Sequence, residues 1–147
     1  MGRNPAALRS LRPHSKVLRR FRRKGRGCHN RDVQATDTIP VLDRNQLRDI
    51  TLDDEELMRE ILSALVDDTS RQIHLLDSAI REQDSQRCMR LAHYSKGACA
   101  NVGANAAAAV LKHIERSAAD RQFDECGVSL VALVGEIDRL RSEAVGL

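Results

Sequence analysis

Leu57, Ile61, Leu65, Thr69, Ile73, Leu76 and Ile80 recur at steps of three and four across roughly residues 53–82. That period lines one face of an α-helix, and a stripe of this length leaves few folds open. Asp53, Asp54, Glu55 and Glu56 crowd its first turn, where carboxylates suit the positive end of the helix dipole. A second amphipathic segment runs from about Ser85 to Val102, with Asp84 as a predicted N-cap and Gly103 placed for a left-handed stop. A third, from Asn105 to about Ala119, aligns Ala106, Val110, Leu111, Ile114 and Ala118. A fourth, about 122–144, presents Phe123, Leu130, Leu133, Val134, Ile137 and Leu140. Only Phe21, Tyr94 and Phe123 are aromatic, and nothing resembles a strand. The predicted fold is all-α, an antiparallel up-down four-helix bundle whose longer walls are the first and last helices. A short additional N-terminal helix, capped by Asp43 and ending near Ile50, is expected to close one end through Leu47 and Ile50.

The net charge of +3 conceals an asymmetry. Residues 1–35 hold eleven Lys/Arg and one acid, whereas the remaining 112 hold thirteen Lys/Arg and twenty Asp/Glu, a net of −7. We therefore divide the chain into a basic, disordered extension over 1–38 and a helical domain over 39–147. No stretch approaches the roughly 20 apolar residues of a membrane span, and no apolar segment marks a secretory signal; a cytoplasmic protein is expected. Cys28, Cys88, Cys99 and Cys126 show no metal-ligand or disulfide spacing, so free thiols are predicted, mostly buried.

Within the second helix, His93, Lys96 and Gly97 stand at i, i+3 and i+4, neighbours on one face. At about 100° per residue, Leu91, Ser95, Ala98 and Val102 fall opposite His93 as the expected core stripe. Gln86, Met89, Arg90, Lys96, Gly97 and Ala100 fall within about 60° of it. His93 is thus expected to point away from the core, beside two cations and two very small residues. A helix-interior glycine costs about 1 kcal/mol relative to alanine; on an outward face, a cleared landing surface explains it better than internal packing. An exposed imidazole, with a reference pKa of about 6.5, is mostly neutral at pH 7 and nucleophilic. A neighbouring ammonium would pair with a phosphoryl group once it is bound. No general base, nucleotide-binding loop or acidic metal pocket is evident beside the histidine. The residues therefore offer an acceptor of phosphate without machinery to activate ATP.

The run Leu91 to Ala104, with His93, then Lys96-Gly97, small residues and Gly103, resembles the signature of histidine-containing phosphotransfer (HPt) domains. The resemblance extends over residues 40–145 in helix order, length and acidic character. It implies a phosphocarrier of bacterial two-component phosphorelays without kinase activity of its own. His93 would take phosphate from an aspartyl-phosphate receiver domain and pass it to, or from, a response regulator. Lys96 would stabilise the phosphate and Gly97 provide access, while Gln86, Met89, Arg90 and Ala100 would contact the partner, Met89 as an outward-facing apolar anchor. Implied partners are receiver domains and a hybrid sensor histidine kinase. Mg²⁺ is expected in the receiver, with no metal or other cofactor on this chain, and the protein is expected to be a monomer. Two positions depart from the pattern. Ser95 replaces a larger apolar residue and is expected to bond back to the Leu91 carbonyl; Cys99 replaces a common serine.

A helical adaptor without chemistry is the alternative reading, with the arm around Arg19 to Lys24 touching nucleic acid or an anionic surface. One aromatic and no folded reader in the arm argue against sequence-specific recognition, and nucleic acid is expected to bind only weakly, through phosphate contacts of the tail. His74 and His113 lack comparable neighbours and are expected to be structural or solvated.

Overall fold

The computed structural model describes residues 39–147; the expectations for the basic arm, including Cys28, lie outside the described residues. Five helices follow one another: α1 (Arg44–Thr51), α2 (Glu55–Arg81), α3 (Ser85–Val102), α4 (Asn105–Ala119) and α5 (Phe123–Val145). No strand occurs among the described residues. Helices α2 to α5 form the predicted bundle as a ring in which α3 neighbours α2 and α4, and α5 neighbours the same two from across the core. Helix α1 packs against α2 and α3.

The caps show why the helices begin and end where they do. The Asp43 carboxylate accepts from the backbone N–H groups of Asn45 and Gln46, both at 3.1 Å, satisfying donors that the first turn leaves orphaned. Asp54 and Asp84 do the same for Leu57 and Arg87. At the end of α3, Gly103 turns left-handed at φ 93°, where a side chain is strained. There its carbonyl accepts from the Asp43 N–H at 2.8 Å. The Gln46 amide donates to the carbonyls of Ala100 (2.7 Å) and Asn101 (3.1 Å). Three polar contacts thereby fasten α1 to the end of the helix that carries His93.

The core is aliphatic, with Leu47, Leu62, Leu76, Leu111, Ile114, Leu133 and Leu140 fully buried beside Cys88, Cys99 and Cys126. The three cysteines are free thiols, and burial pushes the Cys88 and Cys99 thiols up to about 11, which keeps them unreactive.

Several expected details are corrected. Helix α2 starts at Glu55 rather than 53, because Leu52 and Asp53 take positive φ in the preceding turn. Its buried stripe runs through Met58, Leu62, Leu65, Val66, Thr69, Leu76 and Ala79. Leu57 is exposed, and Ile61, Ile73 and Ile80 are only half-buried. The cause is geometric: α2 touches α3 on one side and α5 on the other, so the face between those two neighbours is buried, whichever apolar residues flank it. Thr51 rather than Ile50 joins Leu47 beneath α1, and Val134 of α5 is exposed.

Candidate functional site

Helix α3 buries Cys88, Ala92, Ser95 and Cys99. Relative to the expected stripe, this face is turned by about 60° towards Lys96, because α4 packs against that flank. Of the four residues expected inside, Ser95 is buried while Leu91, Ala98 and Val102 are half-buried. The expected bond from Ser95 to the Leu91 carbonyl does not form: its hydroxyl is buried without a hydrogen-bond partner among the described residues.

His93 projects outward, its side chain 69% exposed. Around it Gln86, Arg90 and Ala100 are exposed as expected. Tyr94, not singled out from sequence, is 57% exposed on the same helix. A Cβ built at Gly97 would meet nothing within 4 Å. No neighbour among the described residues therefore requires a glycine there, and the space beside His93 is open. Met89 departs from expectation: it is half-buried against the core, near the Ser85 hydroxyl (3.9 Å) that itself donates to the Ala118 carbonyl of α4. The rotation of α3 carries it towards α4, so it is no free apolar anchor.

The main addition is Glu115. This residue of α4 reaches across to α3, with Oε1 2.8 Å from His93 Nδ1 and Oε2 2.5 Å from Lys96 Nζ. A carboxylate therefore does accompany the histidine, contrary to expectation, and Lys96 is half-buried in an ion pair rather than free in solvent. Burial pushes the Glu115 carboxyl up, but the hydrogen bonds and charges of Lys96 and His93 outweigh it and hold the group below the ordinary glutamate range. It is thus ionised at neutral pH and can only accept hydrogen bonds. An acceptor at Nδ1 selects the tautomer with the proton there, leaving the lone pair on Nε2, the ring nitrogen that Glu115 does not engage. Linear spacing held no signal for this contact. Glu115 follows the stripe residue Ile114 and reads as a solvated flank until α3 and α4 are paired.

Elsewhere His113 is exposed, with Nε2 4.0 Å from Glu125, and His74 is exposed. Among the described residues, no group of three His, Cys, Asp or Glu side chains is placed to hold a metal ion, and no helix is long and apolar enough to cross a membrane.

Two solved structures share this fold. Histidine-containing phosphotransfer protein B (HptB) from Pseudomonas aeruginosa PAO1 superimposes with a TM-score of 0.67 at 24% identity, over 74% of this chain and 95% of that one. A rice protein, described as a candidate histidine-containing phosphotransfer protein, gives 0.66 at 17% identity, over 82% of this chain and 89% of its own. At such identities the likeness is one of fold. No curated sequence relative matches. The Hpt domain family model matches residues 60–143, which takes in more than half of the chain together with His93, Lys96, Gly97 and Glu115, and the chain accordingly belongs to the Hpt domain family.

Proposed function

We propose that the protein carries phosphoryl groups on His93 between receiver domains of a phosphorelay. One observation supports this above the others: a largely exposed imidazole is held at Nδ1 by the Glu115 carboxylate, which leaves its other nitrogen unengaged by that partner, beside a glycine with open space around it. In the forward step Nε2 attacks the phosphorus of a receiver's aspartyl phosphate. The N–P bond forms, the acyl P–O bond breaks, and the aspartate leaves as a carboxylate. The Nδ1 proton stays in place, so the phosphorylated ring is cationic. Glu115 stabilises that cation, and Lys96 turns part of its charge towards the phosphoryl oxygens. Transfer onward reverses these roles, with neutral imidazole as the leaving group.

Gln86, Arg90, Gly97, Ala100 and Tyr94 form the face on which the receiver docks, and Met89 contributes to packing beneath it. The receiver brings its own acidic pocket and Mg²⁺, while this chain supplies acceptor, carboxylate and cation. A hybrid sensor kinase as donor and a response regulator as recipient complete the relay.

Incubation with a radiolabelled phospho-receiver tests the reading. Label should pass to the wild type, survive alkali as phosphohistidine does, and fail to pass to His93→Gln. Equal labelling of that variant, or no labelling of the wild type by any receiver offered, would leave the adaptor reading standing instead.

A further inference from the structure

Helix α5 carries ten successive uncharged residues, Cys126 to Gly135. A helix apolar on every side is ordinarily buried on every side. Here the inner face is covered, with Cys126, Leu130 and Leu133 in the core, while Val128 (70%), Val131 (73%) and Val134 (42%) remain exposed. Gly127 and Gly135 add a second observation. Each costs helix stability relative to alanine, yet a Cβ at either would meet nothing within 4 Å, so no contact among the described residues uses their smallness.

Charged residues bound this patch in a particular order. Asp124, Val128, Val131, Gly135 and Arg139 lie within about 80° of one another on the helix. Among the described residues Asp124 forms no ion pair, and Arg139 pairs only with the neighbouring Glu136 of its own helix at 2.8 Å, while 67% of its own side chain stays exposed. An antiparallel copy of α5, related by a two-fold axis between Val131 and Ala132, sets Val128 over Gly135 of the second copy and Asp124 opposite its Arg139, twice by symmetry.

We propose that α5 is a self-association face, through which two copies of this chain pair antiparallel, in place of the monomer expected from sequence. Charge complementarity at both ends selects a second copy as the occupant, and Gly135, on the shared face, lets the two backbones approach. Because α5 lies diagonally across the bundle from α3, both His93 faces stay open in the pair. A contact of one helix against another is smaller than a standard stable interface, so the association is weak and reversible.

Sedimentation velocity on the full chain, from about 10 μM to about 1 mM, suits an interface below standard size. The wild type should rise from one mass towards twice that mass. Val131→Glu, at an exposed position, should stay at the single mass. Asp124→Arg and Arg139→Asp should each raise the association midpoint about tenfold or more through like-charge contacts, and the double variant should restore it. A wild type that keeps the single mass throughout overturns the proposal, as does undiminished association of Val131→Glu. Failure of the double reversal to restore pairing overturns it too.

Discussion

His93 and Lys96 converge on one carboxylate, so the chemistry proposed for the site is that of a triad rather than of a histidine beside a cation. Glu115→Ala should slow receiver-to-His93 transfer about tenfold, the equivalent of about 1.4 kcal/mol, because Nδ1 then loses the acceptor that fixes the tautomer. Single-turnover transfer assays check this, with circular dichroism showing the helices unchanged. Lys96→Ala should slow transfer as well, yet leave His93 able to be labelled. Acid stability provides a separate readout. The Glu115 carboxyl is held below its ordinary range in the folded protein, so the unfolded chain binds more protons as pH falls. The resulting stability is complete above the usual glutamate pKa of about 4.3 and is lost as pH drops through the folded value. Urea unfolding at pH 7 and pH 3 should show a smaller acid loss for Glu115→Gln than for the wild type.

The glycine within helix α3 and the one that caps its end have opposite meanings. At Gly97 the space is open, so Gly97→Ala should stabilise the domain by about 1 kcal/mol through helix propensity alone. Gly97→Leu should also preserve or improve helicity while blocking transfer, since its side chain fills the approach to His93. Denaturant midpoints read together with transfer rates separate these effects. Gly103 allows no such change: its φ is 93°, and an added Cβ would lie 2.9 Å from the Asp43 carbonyl oxygen. Gly103→Ala should cost about 2 kcal/mol in chemical denaturation and loosen the junction of α1 with α3. Both glycines stand out in the sequence by position, one inside a helical pattern and one at its end. Position already separates a helix stop from an outward gap; the neighbours add that Gly103 lies against the Asp43 backbone whereas Gly97 lies against nothing within 4 Å.

For the whole molecule, a core position far from His93 separates stability from the proposed transfer. Leu133 of α5 is fully buried, diagonally across from α3. Leu133→Ala should destabilise by about 3 kcal/mol through the cavity it opens, yet leave the transfer rate unchanged well below the melting transition. Parallel thermal unfolding and transfer assays would show it. The helix count, the limits of α3 and α4, the Asp43 and Asp84 caps and the outward direction of His93 all follow from local periodicity and cap chemistry, which depend on residues a few positions apart. Local rules could not settle which flank of each stripe is buried. Leu57 and Val134 are exposed and Met89 is half-buried because burial depends on where the neighbouring helices lie. Glu115 illustrates the same limit: twenty-two residues separate it from His93, and no helical period spans that distance. Sequence by itself thus determined a bundle of amphipathic helices with an exposed histidine, since both are short-range consequences of side-chain spacing. The tertiary structure alone decided that a carboxylate from the next helix meets that histidine, because only the packing of α3 on α4 brings the two faces together.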